Sequence, residues 1–103
     1  MGVGDSMAQT EPLRRRDDGT HWADLEPGEF SYLKCDISGR IKWINFWPDG
    51  LETPLSVPIH PQRSQNGHSW ALSGHLDFPT LDPSVNVKDY WHGWVREGKV
   101  DLV

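Results

Sequence analysis

The chain holds five histidines, one cysteine and closely spaced hydroxyl and carboxyl groups. Cys35, His60, His68, His75, Asp77 and His92 are all metal-ligand types. A structural zinc site needs four ligands, usually with close Cys or His pairs. The closest spacing here is His75-x-Asp77, and side chains two apart on a strand share a face. With His92 they make a two-histidine, one-carboxylate set of the kind found at open catalytic metal centres. The reading preferred on geometry places His75 and Asp77 on an exposed turn and gives His92 a hydrogen bond, with no cofactor. Zinc is the metal to test for. Cys35 lacks a Cys-His motif, and Lys34 points to the opposite face of its strand, so it reads as a small buried hydrophobe. Serines, aspartates and histidines are numerous enough to sketch a triad. No nucleophile-elbow motif supports one, and no serine nucleophile is assigned.

Two further groups of residues draw notice. Pro79-Thr80-Leu81-Asp82-Pro83-Ser84 has two prolines that push Phe78 and Asp82 towards extended geometry. Thr80 and Ser84 offer hydroxyls, and Asp82 can accept from the Ser84 amide in an Asx-type turn. Among six tryptophans, Trp43, Trp70 and Trp94 lie in strand-like alternation and are the core candidates. Trp47 and Trp91 lie at strand ends and are the surface candidates for a binding patch with His92.

The elements that must position these residues are β-strands. Period-2 runs cover 30–35, 40–47, 55–59, 69–73, 84–87, 90–95 and 99–103, with turns at Asp36–Gly39, Pro48–Gly50 and Arg96–Gly98. Pro58 places its strand at an edge or ends it there. Residues 76–83 read as irregular and extended, and 60–68 as a polar, mobile connector. No segment sustains a 3.6-residue period. The expected fold is all-β or mainly β, an antiparallel sandwich or open barrel of about five to seven short strands. Residues 1–20 read as a flexible, disordered tail, 21–29 as a segment docking through Trp22 and Leu25, and 30–103 as a single β domain.

Charge narrows the partners. Residues 1–29 hold seven acids against three arginines, while 30–103 hold eight acids and seven bases. Neither part has the clustered positive charge of a duplex-binding domain. With no long apolar run, no signal peptide and a lone cysteine, the expected location is the cytoplasm, away from membranes. A small domain without disulfide staples also makes a homodimer plausible.

Trp70-Ala71-Leu72-Ser73-Gly74, the Pro-Thr-Leu-Asp-Pro-Ser segment and Trp91-His92-Gly93-Trp94-Val95-Arg96-Glu97-Gly98 together resemble an uncharacterised small-domain family of phages and prophages. The resemblance spans roughly residues 30–103. Some members of that family carry the label ammonia monooxygenase, which no residue pattern here supports. Many carry a cysteine-rich knuckle and a cysteine beside the hairpin histidine. This chain has only Cys35, with Trp91 before His92, so that metal site does not carry over.

The resulting expectation is a non-enzymatic, phage-related, tryptophan-rich binding module for an unknown protein partner. Its candidate site residues are Trp47, Trp91, His92, Thr80, Asp82 and Ser84. The hairpin is expected to pack its His92 face against the proline-rich segment, with His92 and Trp94 on that face and Trp91 on the other. The alternatives are a small metal-dependent enzyme using His75, Asp77 and His92, and a single-stranded nucleic-acid binder. Aromatic content favours the latter and a net charge of −5 disfavours it.

Overall fold

The computed structural model describes residues 11–60 and 69–103. The strands are β1 (Arg14–Arg15), β2 (Glu29–Lys34), β3 (Ile41–Phe46), β4 (Leu55–Pro58), β5 (Ala71–His75), β6 (Phe78–Asp82), β7 (Val85–Val87), β8 (Trp91–Arg96) and β9 (Lys99–Leu102). They form a four-stranded sheet in the order β1-β2-β3-β4, a two-stranded sheet of β5 and β6, and a three-stranded sheet in the order β7-β8-β9. The described residues contain no α-helix, only a single 3₁₀ turn at Trp22–Asp24. The mainly β expectation holds, as separate sheets rather than a closed barrel.

The core follows from alternation. Phe30 and Tyr32 on β2, Ile44 and Phe46 on β3, and Val57 on β4 turn one face of the large sheet inward. Val85, Trp91 and Val95 from the three-stranded sheet and Leu81 from β6 meet them. Phe46 and Trp91 make an edge-to-face contact across the sheets, with centroids 6.1 Å apart, a geometry favoured by the ring quadrupoles. The Tyr32 hydroxyl donates to the Leu76 carbonyl at 2.7 Å, tying the large sheet to the β5–β6 turn.

Several elements differ from the sequence reading. The segment expected to be irregular is β6, paired antiparallel with β5 so that Gly74 lies opposite Pro79. Pro79 donates nothing, but its carbonyl accepts from Gly98 at 2.8 Å, which ties β6 to the last hairpin. Trp43, expected in the core, is 40% exposed, whereas Trp91, expected at the surface, is buried. Both hairpins carry aromatics on both faces, so composition does not decide which set turns inward. Within the stretch expected to be a free tail, Leu13 is buried and Arg14–Arg15 pair parallel with β2. Residues 1–10, and all but His60 of the connector, lie outside the described residues.

Candidate active site

The last hairpin is built on a two-residue turn. Glu97 and Gly98 both take positive φ, 50° and 79°, as a type I′ turn demands. Registration follows: Arg96 faces Lys99, Val95 faces Val100 and Trp94 faces Asp101. On the other side, Val85 faces Gly93, Asn86 faces His92 and Val87 faces Trp91. Val85, Trp91 and Val95 turn into the core. Their neighbours Ser84, Asn86, His92 and Trp94 therefore share the opposite face.

The glycine between the two aromatics makes room for this arrangement. A Cβ on Gly93 would lie 2.6 and 2.7 Å from two atoms of the Trp91 indole and 3.1 Å from the Asp101 carbonyl. The Trp91 ring thus folds over Gly93 towards the core, while His92 is presented outward. Continuing the β7–β8 register by one residue puts Ser84 opposite Trp94 and diagonal to His92. There the Ser84 hydroxyl and His92 Nε2 are 2.8 Å apart. This is the one hydrogen bond between a serine hydroxyl and a histidine ring among the described residues, and both side chains are half-buried. The Trp70 indole N–H donates to the Ser84 carbonyl at 3.2 Å, which holds the serine's backbone in place. On the same face, the Arg96 guanidinium lies 4.2 Å over the Trp94 ring.

The other expected site residues fall elsewhere. The Thr80 hydroxyl accepts from the Glu97 amide at 2.9 Å, anchoring the hairpin turn to β6. Asp82 is exposed, and its carboxylate has no hydrogen bond to a described residue, so the Asx turn to Ser84 is not formed. The hairpin meets the proline-rich segment through its turn, Thr80–Glu97 and Pro79–Gly98, and through Ser84–His92, while the face that turns into the core beside Leu81 is the Trp91 face and not the expected His92 face. Trp91 is in the core, and Trp47 is half-buried with its indole N–H on the Leu51 carbonyl at 2.8 Å. These two form no shared exposed patch with His92.

The metal candidates do not converge. The Asp77 carboxylate is held by the Arg15 guanidinium at 3.0 Å. His75 Nδ1 accepts from the Asp77 amide within its own turn at 3.1 Å. His92 is engaged with Ser84. No group of three or more His, Cys, Asp or Glu side chains suited to a metal ion occurs among the described residues.

Electrostatics elsewhere are local. Arg15 bridges Asp18 and Asp77 and stacks 5.0 Å from the Tyr32 ring centre. Lys34 and Arg15 hold the Asp18 carboxyl below the usual carboxylate range. Burial pushes the Glu29 carboxyl up, but the Glu26 amide and Arg16 outweigh it, so it too titrates low. Cys35 lies half-buried beside the β2–β3 turn rather than in the core. Its thiol is lowered to about 7 by hydrogen bonds from Ser38 and from the Ile37 backbone.

With this geometry in hand, residues 16–103 match the family described as "BubE: Bacterial ubiquitination-like system serine protease". The chain belongs to that family. No curated protein and no solved structure matches it. The family description overturns the expected non-enzymatic, phage-related binding module. The description specifies serine chemistry rather than the metal-dependent chemistry considered for His75, Asp77 and His92. The small-domain resemblance expected over roughly 30–103 falls within the matched region, 16–103, whose description carries no phage link and no ammonia monooxygenase label. Ser84 and His92 were both singled out in the sequence, but not as a hydrogen-bonded pair, which is how the structure brings them together. The signal was parity: if Val85 and Val87 pair inward against Gly93 and Trp91 respectively, Ser84 and His92 must emerge on the same side.

No helix among the described residues is long and apolar enough to cross a membrane.

Proposed function

We propose that this chain is a serine hydrolase acting on a protein substrate within a bacterial ubiquitination-like system, with Ser84 as nucleophile and His92 as general base. The observation that carries the reading is the 2.8 Å contact between the Ser84 hydroxyl and His92 Nε2, in a chain whose family is described as a serine protease. For Nε2 to accept from the hydroxyl, the imidazole proton sits on Nδ1. As Ser84 Oγ attacks a carbonyl carbon, its proton passes to Nε2. Collapse of the tetrahedral intermediate breaks the bond to the leaving nitrogen or oxygen, which takes that proton from His92. A water then attacks the acyl-serine, giving its proton to Nε2, and the carboxylic acid product departs as Ser84 is reprotonated.

Two neighbours support the dyad. Trp70 fixes the nucleophile's carbonyl from outside the sheet. Asn86 stands directly across from His92 in a pair whose side chains approach closely, with Cα atoms about 4.5 Å apart. Labelling with a fluorophosphonate probe tests the assignment. Intact-mass and peptide mapping should find the adduct on Ser84, with labelling lost in Ser84→Ala and slowed at least about 100-fold in His92→Ala. An adduct on another serine, or undiminished labelling in His92→Ala, refutes the dyad.

A further inference from the structure

The main-chain polarity of the three-stranded sheet shows which of its edges is open beside the nucleophile. The Val103 amide donates to the His92 carbonyl at 3.1 Å, so the backbone groups of His92 point towards β9. In an antiparallel sheet these groups alternate sides residue by residue. Trp91 and Gly93 therefore bond to β7, engaging Val87 and Val85, their partners in register. It follows that the N–H and C=O of Asn86 point the other way. β7 is the terminal strand of its sheet among the described residues, and Asn86 is exposed. The outward carbonyl of Ser84 is already taken by the Trp70 indole.

We infer that the outer edge of β7 is a substrate rail: the extended polypeptide segment on the acyl side of the scissile bond adds there as a strand, held by the main-chain N–H and C=O of Asn86. This rests on the reading of Ser84 as nucleophile. Asn86 lies two residues from Ser84, about 6.6 Å along the strand. A chain pairing with Asn86 at the usual inter-strand spacing of about 4.8 Å thus brings the backbone two residues further on level with Ser84. Trp70 closes the edge at Ser84, so the rail serves one side of the scissile carbonyl only. Strand addition of this kind reads backbone rather than side chains.

The position also supplies a clean perturbation. Because the Asn86 N–H points away from β8, proline there removes the outward donor without removing a bond of the native ladder. The probes are coumarin esters of acetyl-glycine and of its extensions by two and four alanines. The readout is the ratio of kcat/KM for the longest to the shortest ester, which cancels any effect on the dyad itself. The wild-type protein should show a ratio of about ten, the worth of a well-made backbone hydrogen-bond pair. Asn86→Pro should reduce it to between one and two, and Asn86→Ala, which keeps the backbone donor, should retain it. Where Asn86→Pro fails to fold, N-methylation of each alanine amide in turn provides the same test on the wild-type protein, and one position should abolish the length advantage. A wild-type ratio near one, an unchanged ratio in Asn86→Pro, or indifference to every N-methylation overturns the rail while Ser84 labelling still stands. Absence of Ser84 labelling instead brings down the dyad and the rail together.

Discussion

Replacing Gly93 with alanine is the sharpest probe of how the site is held. The φ of this residue is not the difficulty; space is. The added methyl would lie 2.6 and 2.7 Å from the Trp91 indole and 3.1 Å from the Asp101 carbonyl. Trp91 cannot swing aside at low cost, because it is buried against Phe46, and the carbonyl belongs to the β8–β9 ladder. Overpacking of this kind costs about 1–3 kcal/mol. Taking about 2 kcal/mol, and a shift of about 4–8 °C per kcal/mol for a domain of this size, Tm should fall by about 8–16 °C. Differential scanning calorimetry measures this directly. Trp91→Phe provides the second arm, since the smaller ring lacks the indole atoms that clash. In that background Gly93→Ala should cost about 1 kcal/mol less, a coupling typical of residues in contact. Hydrolysis should suffer beyond the loss of fold, because displacing β8 moves His92, and an error of about 1 Å in a catalytic group can cost about 100-fold. A Tm within 2 °C of wild type (about a quarter of the smallest expected shift), or an equal penalty in both backgrounds, would refute this account of the Trp-His-Gly sequence.

Three further predictions follow from named contacts. His92→Ala should lower kcat/KM for an activated ester by about 10²–10⁴, while Tm falls by no more than about 4–8 °C, the loss of one hydrogen bond worth about 1 kcal/mol; equal losses of rate and folded fraction would make His92 merely structural. Cys35, whose thiol titrates near about 7, should react with iodoacetamide at a rate that rises with pH and is half-maximal near that value, because the thiolate is the nucleophile; Cys35→Ser should leave Ser84 labelling intact, and a midpoint above pH 8.5, the ordinary thiol range, contradicts the assignment. Asp18, held low by Lys34 and Arg15, contributes stability that is fully present above about pH 4 and is lost as pH falls through its lower folded-state value. Urea melts of wild type and Asp18→Asn should therefore differ at pH 6 and converge in acid, and a gap that widens on acidification would reverse the sign.

Much of the strand order can be read directly from residue types. Alternation located β2, β3, β4, β8 and β9, and Pro58 marked the end of an edge strand, because period-2 patterning and lost N–H donors act within a few residues. Glu97-Gly98 could be placed as a hairpin turn for the same reason. Even the meeting of Ser84 with His92 lay within reach, since parity across a short hairpin is a local property once the inward residues are known. What alternation cannot supply is its own phase. Trp91 and Trp43 exchanged their expected places because each hairpin carries aromatics on both faces, and only the opposing sheet decides which set is buried. Nor could sequence separate the partners of His75, Asp77 and His92. Asp77 is claimed by Arg15, 62 residues away along the chain. Pairings at that distance are chosen by how the sheets stack, because a charge is stabilised by whatever opposite charge packing brings within a few ångströms, however far apart the two lie in sequence.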